Sequence, residues 1–229
     1  MKTTPLIITI DGPAGAGKST VAQRLAARLG LTYVDSGATY RAAALKVVQS
    51  GVSADDERAV VEAVSGATID FAPKDGETGV YLDGRNVVQE IRTSEVTLAA
   101  AKVSRLPEVR KKLIALQRNL VRGQGVVMEG RDIGTVVFPD APLKIFLKAD
   151  VGERARRRLK QDQEEGRAST LEQTAYDIGR RDQLDAERKV SPLFPAADAI
   201  EIDSTTLSAE QVVERIVEIA RDKKLLQSG

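Results

Sequence analysis

Gly12-Pro13-Ala14-Gly15-Ala16-Gly17-Lys18-Ser19-Thr20 sets a lysine beside a hydroxyl at the end of a glycine-rich stretch with the spacing G-x-x-x-x-G-K-S. Glycines so placed let successive backbone N–H groups turn inward and line an anion nest. The lysine then reaches the β and γ phosphates of a nucleoside triphosphate, and the serine hydroxyl binds Mg²⁺. The flanks decide whether the pattern means anything. Before it, Leu6 to Ile10 is an apolar run that reads as a buried strand ending at Asp11. After it, Val21, Ala22, Leu25, Ala26 and Leu29 recur on one helical face until Gly30 stops the helix. That helix adds its unpaired N–H groups and positive dipole end at the same point. Strand, glycine loop and helix together favour a P-loop over a turn that binds nothing.

Other residues suited to phosphate chemistry are spread along the chain. Asp35 closes the predicted strand Leu31 to Val34, just before a helix for which Ser36 is the predicted N-cap. Asp35 either assists that cap or holds Mg²⁺ through water. Arg41, one turn on, is either solvated or an anion ligand above the strand ends. Gly130-Arg131-Asp132-Ile133-Gly134-Thr135 follows the buried strand Gly125 to Glu129, at the edge where open α/β sheets bind ligands. Arg154, Arg157 and Arg158 share one helical face, as a solvated charged face or as a lid that closes over phosphate. Arg181, Asp185 and Arg188 form a stripe on a predicted helix from Thr170 to about Lys189, a pattern that salt-bridged surface helices also show. These arginines exceed what one triphosphate requires. A second phosphorylated substrate explains the surplus, because its phosphate also needs bidentate guanidinium. Such an acceptor is already an anionic nucleophile, so no general base is needed.

Composition limits the chemistry. The 229 residues include no cysteine and no histidine, which excludes disulfides, thiol catalysis and metal sites built on those side chains. With 34 basic against 33 acidic residues and 3% aromatics, no overall field or stacking surface points to nucleic acid or an anionic membrane. No apolar run reaches membrane-spanning length and no apolar signal core precedes the first strand, so a cytoplasmic protein is expected.

These side chains require a frame. Five buried strand candidates alternate with helices, which implies an α/β fold with a doubly wound five-stranded parallel sheet. Thr68 to Ala72, Gly79 to Leu82 and Arg85 to Val88 are shorter and alternating, with Asp83-Gly84 as a two-residue hairpin turn. They read as an inserted antiparallel subdomain. The expected division is a kinase-like core of residues 1–64 and 107–229, an insert of residues 65–106, and a lid over residues 150–169.

Taken together, the P-loop, Asp35-Ser36-Gly37-Ala38-Thr39-Tyr40-Arg41, Gly130-Arg131-Asp132-Ile133-Gly134-Thr135, the Arg181–Asp185–Arg188 stripe, Val136 to Ala141 and Asp203-Ser204-Thr205 resemble bacterial cytidylate kinases (CMP/dCMP kinases) over essentially the whole chain. The resemblance implies a nucleoside monophosphate kinase fold with an acceptor-binding insert and an arginine-bearing lid. It implies ATP as donor with Mg²⁺, and CMP and dCMP as acceptors; separately, a monomer without an obligate protein partner is expected. Gly12 to Thr20 would bind ATP, and Lys18, Arg131, Arg154, Arg157 and Arg158 would serve catalysis. Ser36, Arg41, Arg131 and Arg188 would hold the acceptor phosphate, with Tyr40 packed near the nucleotide. Arg110 and Asp132 would read the cytosine edge, and Arg181 and Asp185 would hold the pentose. One departure stands out: the family often has a serine touching the base where this chain has Ala101, so either Ser104 substitutes or the contact is missing. Rival readings are a P-loop kinase for another small acceptor (UMP, another monophosphate or shikimate), a GTP-dependent switch and an ATP-dependent nucleic-acid binder. The switch lacks an N-K-x-D or T-K-x-D guanine-reading motif.

Overall fold

The computed structural model describes residues 5–74, 77–121, 123–164, 166–186 and 190–226. The chain begins with β1 (Ile7–Asp11), α1 (Lys18–Leu29), β2 (Thr32–Asp35), α2 (Ser36–Gln49), α3 (Glu57–Gly66), β3 (Ile69–Lys74), β4 (Glu77–Leu82) and β5 (Arg85–Asn86). It continues with α4 (Ser94–Val103), α5 (Pro107–Leu120), β6 (Val126–Gly130), β7 (Leu143–Lys148), α6 (Val151–Glu164), α7 (Leu171–Ala186), β8 (Ile200–Asp203) and α8 (Ala209–Asp222). Two compact units result, Met1–Tyr33 with Gly123–Gly229, and Val34–Arg122. Among the described residues no helix is long and apolar enough to cross a membrane.

The parallel sheet has the order β2-β6-β1-β7-β8. Its central strand, β1, pairs with β6 from Ile7↔Val126 to Asp11↔Gly130 and with β7 from Ile8↔Leu143 to Asp11↔Phe146. The order reverses around β1, so a crevice opens beyond its carboxyl end, and the P-loop starts there. Ile8, Ile10, Leu143, Ile145, Leu147 and Ile202 from the strands pack with Leu25 of α1 and Val213 and Ile216 of α8. This apolar mass anchors the strand ends that carry the polar site. The last helix, α8, starts with a capping box, in which Ser208 and Gln211 satisfy each other's backbone N–H groups.

The second unit is built on α2, whose consecutive small residues Ala42, Ala43 and Ala44 are fully buried. They let α3, α4 and the sheet β3-β4-β5 come close. In β3 and β4 the buried pair Ile69↔Leu82 sets the apolar face. Asp83 and Gly84 both take positive φ, at 49° and 81°, as the hairpin turn demands. The third strand is shorter than expected, only Arg85–Asn86, although the Val87 N–H still donates to the Val80 carbonyl at 2.9 Å and its side chain is buried. One helix start also differs from expectation. Asp35, not Ser36, caps α2, its Oδ1 accepting from Ala38 N–H at 3.2 Å. Asp56 caps α3, its Oδ1 accepting from the Ala59 N–H at 3.0 Å, while the Ser53 hydroxyl accepts from the Asp55 N–H.

Candidate active site

At the end of β1 the backbone must turn sharply. Gly12 has φ +149°, and a Cβ there would lie 2.0 Å from the Leu147 carbonyl oxygen, so only glycine fits. Gly17 holds the N-cap position of α1 in the left-handed region and offers no side-chain cap. The first-turn N–H groups of α1 are thus left to an anion. Lys18 is buried and its Nζ donates to the Pro13 carbonyl at 2.8 Å, curling over the loop. Burial, then Arg131 and Arg181, lowers its pKa to about 7 against the pull of Glu129 and Asp11. Ser19 is exposed beside it at the helix start.

The segment after β6 is not the open loop its two glycines suggest. Ile133–Val137 forms a π-turn, with Phe138 N–H donating to the Ile133 carbonyl at 2.7 Å. Asp11 holds its start, accepting from Ile133 N–H at 2.9 Å and Gly134 N–H at 2.7 Å. Burial raises the Asp11 pKa to about 6, with Asp132 adding to the rise while both N–H groups and Lys18 oppose it. Arg131 Nε donates to Asp185 at 2.9 Å, and both Asp132 and Asp185 are buried. Glu129, also buried, accepts from the Tyr33 hydroxyl at 2.9 Å.

Two of the α6 arginines grip the P-loop main chain. Arg154 is buried; it donates to the Ala149 and Ala14 carbonyls at 3.0 and 3.1 Å and to Asp182 at 2.5 Å. Arg157 donates to the Ser204 carbonyl at 2.6 Å and its hydroxyl at 3.1 Å, and to Glu153 at 3.0 Å. Ser204 in turn lies 3.1 Å from the Ala16 carbonyl. Arg158 faces solvent and pairs with Asp162. Arg181 is exposed on α7, while Arg188 lies outside the described residues.

Within the second unit, Ser36, Tyr40 and Arg41 line the start of α2. Arg41 Nη2 donates to Asp35 at 2.6 Å, and Gly37 leaves room for that pair, since a Cβ there would sit 3.0 Å from both partners. The buried Arg110 of α5 stacks 5.5 Å over the Tyr40 ring and donates to the Ser104 carbonyl at 3.3 Å. Ser104 is buried and its hydroxyl donates to the carbonyl of Ala101, whose side chain is exposed. Asp35 has both oxygens engaged, by Ala38 and Arg41. Among the described residues no cluster of three or more acidic side chains could hold a metal. Ser19, exposed at the start of α1, presents a hydroxyl that could serve as one oxygen ligand of a Mg²⁺ ion.

Sequence reasoning assigned no role to Asp11, Glu129, Asp182 or Ser204. Each is a polar residue at the carboxyl end of an apolar strand or opposite a buried arginine. A carboxylate closing an all-apolar run, as in Ile7-Ile8-Thr9-Ile10-Asp11, was the available signal.

The family model described as cytidylate kinase matches residues 8–222. The chain is 49% identical over 216 residues to the cytidylate kinase of Geobacillus kaustophilus, covering 94% of this chain and 96% of that protein. It is 48% identical over 208 residues to the cytidylate kinase of Pasteurella multocida, covering 91% and 92%. A crystal structure of an uncharacterized protein from Eubacterium ventriosum shares the fold at a TM-score of 0.53 and 12% identity, over 96% of this chain and 99% of that one. The chain belongs to the cytidylate kinase family.

Proposed function

We propose that the protein transfers the γ-phosphoryl group of ATP to the phosphate of CMP or dCMP, giving ADP and CDP or dCDP. One observation carries this reading: a glycine loop with its lysine and uncapped helix start shares one sheet edge with the pinned Arg131–Asp132 segment. Phosphoryl transfer asks a protein chiefly to position two anions and neutralise charge, and this edge supplies both. The N–H groups of the P-loop and Lys18 hold the donor phosphates. The exposed Ser19 hydroxyl would hold Mg²⁺, which would supply positive charge against the donor phosphates. Ser36, Arg41, Arg131 and Arg188 receive the acceptor phosphate.

Base choice falls to Asp132 and Arg110. Cytosine donates from its exocyclic amine and accepts at N3 and O2. A carboxylate accepts the amine and a guanidinium serves N3 and O2, whereas uracil presents O4 lone pairs to the one and an N3–H to the other. Ser104, whose carbonyl already fixes Arg110, takes the place of the serine missing at Ala101. Arg181 and Asp185 hold the pentose, and Arg154, Arg157 and Arg158 bring guanidinium charge to the transferring group. Coupled ADP release from Mg·ATP with CMP, dCMP, UMP, AMP, GMP and shikimate in parallel tests the proposal. CMP and dCMP should give the highest kcat/KM, and a preference for any other acceptor would overturn it.

A further inference from the structure

The ladder between β1 and β6 ends at Asp11↔Gly130. Beyond that pair the sheet no longer holds the chain, yet Arg131 and Asp132 lie there. The next attachment of this segment to β1 is a side chain. Asp11, only 5% exposed, receives two consecutive N–H groups, those of Ile133 and Gly134, on its two carboxylate oxygens. On its other side Asp11 is bonded to Gly12, the first residue of the P-loop. One carboxylate therefore joins the start of the donor loop to the segment that carries the acceptor ligands. Residue 134 is shaped for this contact: a Cβ on Gly134 would lie 2.9 Å from Thr9 Oγ1 and 3.3 Å from Asp11 Oδ2.

We propose that Asp11 is a positioning residue that sets Arg131 and Asp132 against the P-loop, so that donor and acceptor phosphates meet in one frame. The proposal rests on the reading of Arg131 and Asp132 as acceptor ligands. Only the ionised carboxylate offers acceptors to both N–H groups without a competing donor. The charged groups around it are Lys18 of α1, Asp132 beside the π-turn, and Lys144 of β7, whose stem lies by Gly134 while its ammonium is bound to Asp198. Burial makes Asp11 take up a proton near pH 6, and one oxygen then becomes a donor facing an N–H. Acceptor positioning loosens on the acid side even though the protonated side chain suits its buried place better.

The test uses the full chain with Asp11→Asn, Gly134→Ala and the double variant. CMP kinetics are followed from pH 5 to pH 8, and Kd for ATP is measured by calorimetry. Asparagine keeps the shape but turns an amino group toward one N–H. Asp11→Asn should lower kcat/KM for CMP by about 10- to 100-fold, the cost of a small misplacement of reacting groups. It should also leave ATP affinity unchanged and remove the Asp11 contribution to the acid limb near pH 6, leaving only that of the substrate phosphates. Gly134→Ala should give the same pattern, and the double variant should be no worse than the more damaged single one, because both break one contact. Parallel loss of ATP affinity would overturn the proposal, as would additive effects or unaltered CMP kinetics in a folded variant. If Asp11→Asn does not fold, Gly134→Ala alone decides by the same split between CMP and ATP. A wild-type protein inactive on CMP would instead refute the functional reading.

Discussion

Replacing Arg154 by methionine should separate its structural work from any work on phosphate. Its side chain is 5% exposed and that of its partner Asp182 is 24% exposed. Removing one member of a buried pair costs about 3–5 kcal/mol, chiefly because the remaining charge is left uncompensated. Asp182 retains some water, which reduces this to about 2–3 kcal/mol. Its Oδ1 has no hydrogen-bond partner among the described residues to take over. Loss of the bonds to the Ala14 and Ala149 carbonyls adds about 1 kcal/mol. For a chain of this length the result is a fall in Tm of about 10 °C, read by a thermal melt without nucleotide. Asp182→Leu in the same chain should restore most of that stability, since the penalty is the orphaned carboxylate. If the double variant also regains turnover, Arg154 acts as a clamp on the P-loop; if stability returns and turnover does not, its charge serves the transferring phosphate. A single variant that melts with the wild type, or a double variant no more stable than the single, would refute the reasoning.

Lys18→Ala should abolish turnover and leave CMP binding intact by calorimetry; loss of CMP binding would contradict a lysine devoted to the donor. Asp35→Asn keeps a good helix cap but loosens Arg41, so KM for CMP should rise about tenfold, the loss of one charged contact. Mg²⁺ activation should not change; a shifted Mg²⁺ requirement would restore a metal role to Asp35. The stability of the ligand-free protein should also depend on Asp11. Its pKa is about 6 in the folded chain against an ordinary 3.8, so between these values only the folded state is protonated. Falling pH through that window therefore favours folding through this group, by up to about 3 kcal/mol. The stability advantage of the wild type over Asp11→Asn should grow from pH 7 to pH 4 in denaturant titrations, and a constant difference would contradict the raised pKa.

What the sequence made legible was local. The P-loop needs one strand, one turn and one helix start within about twenty residues, and all its signals lie side by side. The apolar runs of β1, β6 and β7 likewise announce a buried parallel sheet. The partners of Asp11 lie 122 and 123 positions away, and no periodicity connects them. A π-turn has no repeating pattern, so Ile133–Val137 read only as a loop between glycines. Counting arginines on α6 revealed the charge but not its acceptors, which include main-chain carbonyls of other loops and the distant Asp182 carboxylate. The four-residue spacing of Arg181 and Asp185 suggested a pair, while the contact of Asp185 with Arg131 spans 54 positions.

Whether this site reads the cytosine edge is decided by Asp132→Ala. Rates with CMP and with UMP are measured across a Mg²⁺ series. Loss of one charged base contact should remove roughly 1–3 kcal/mol of discrimination, about 5- to 150-fold in the CMP/UMP ratio of kcat/KM. CMP turnover should fall steeply, UMP turnover little, and Mg²⁺ dependence not at all. Equal depression of both substrates with a weakened Mg²⁺ response would place Asp132 on the metal and contradict the account.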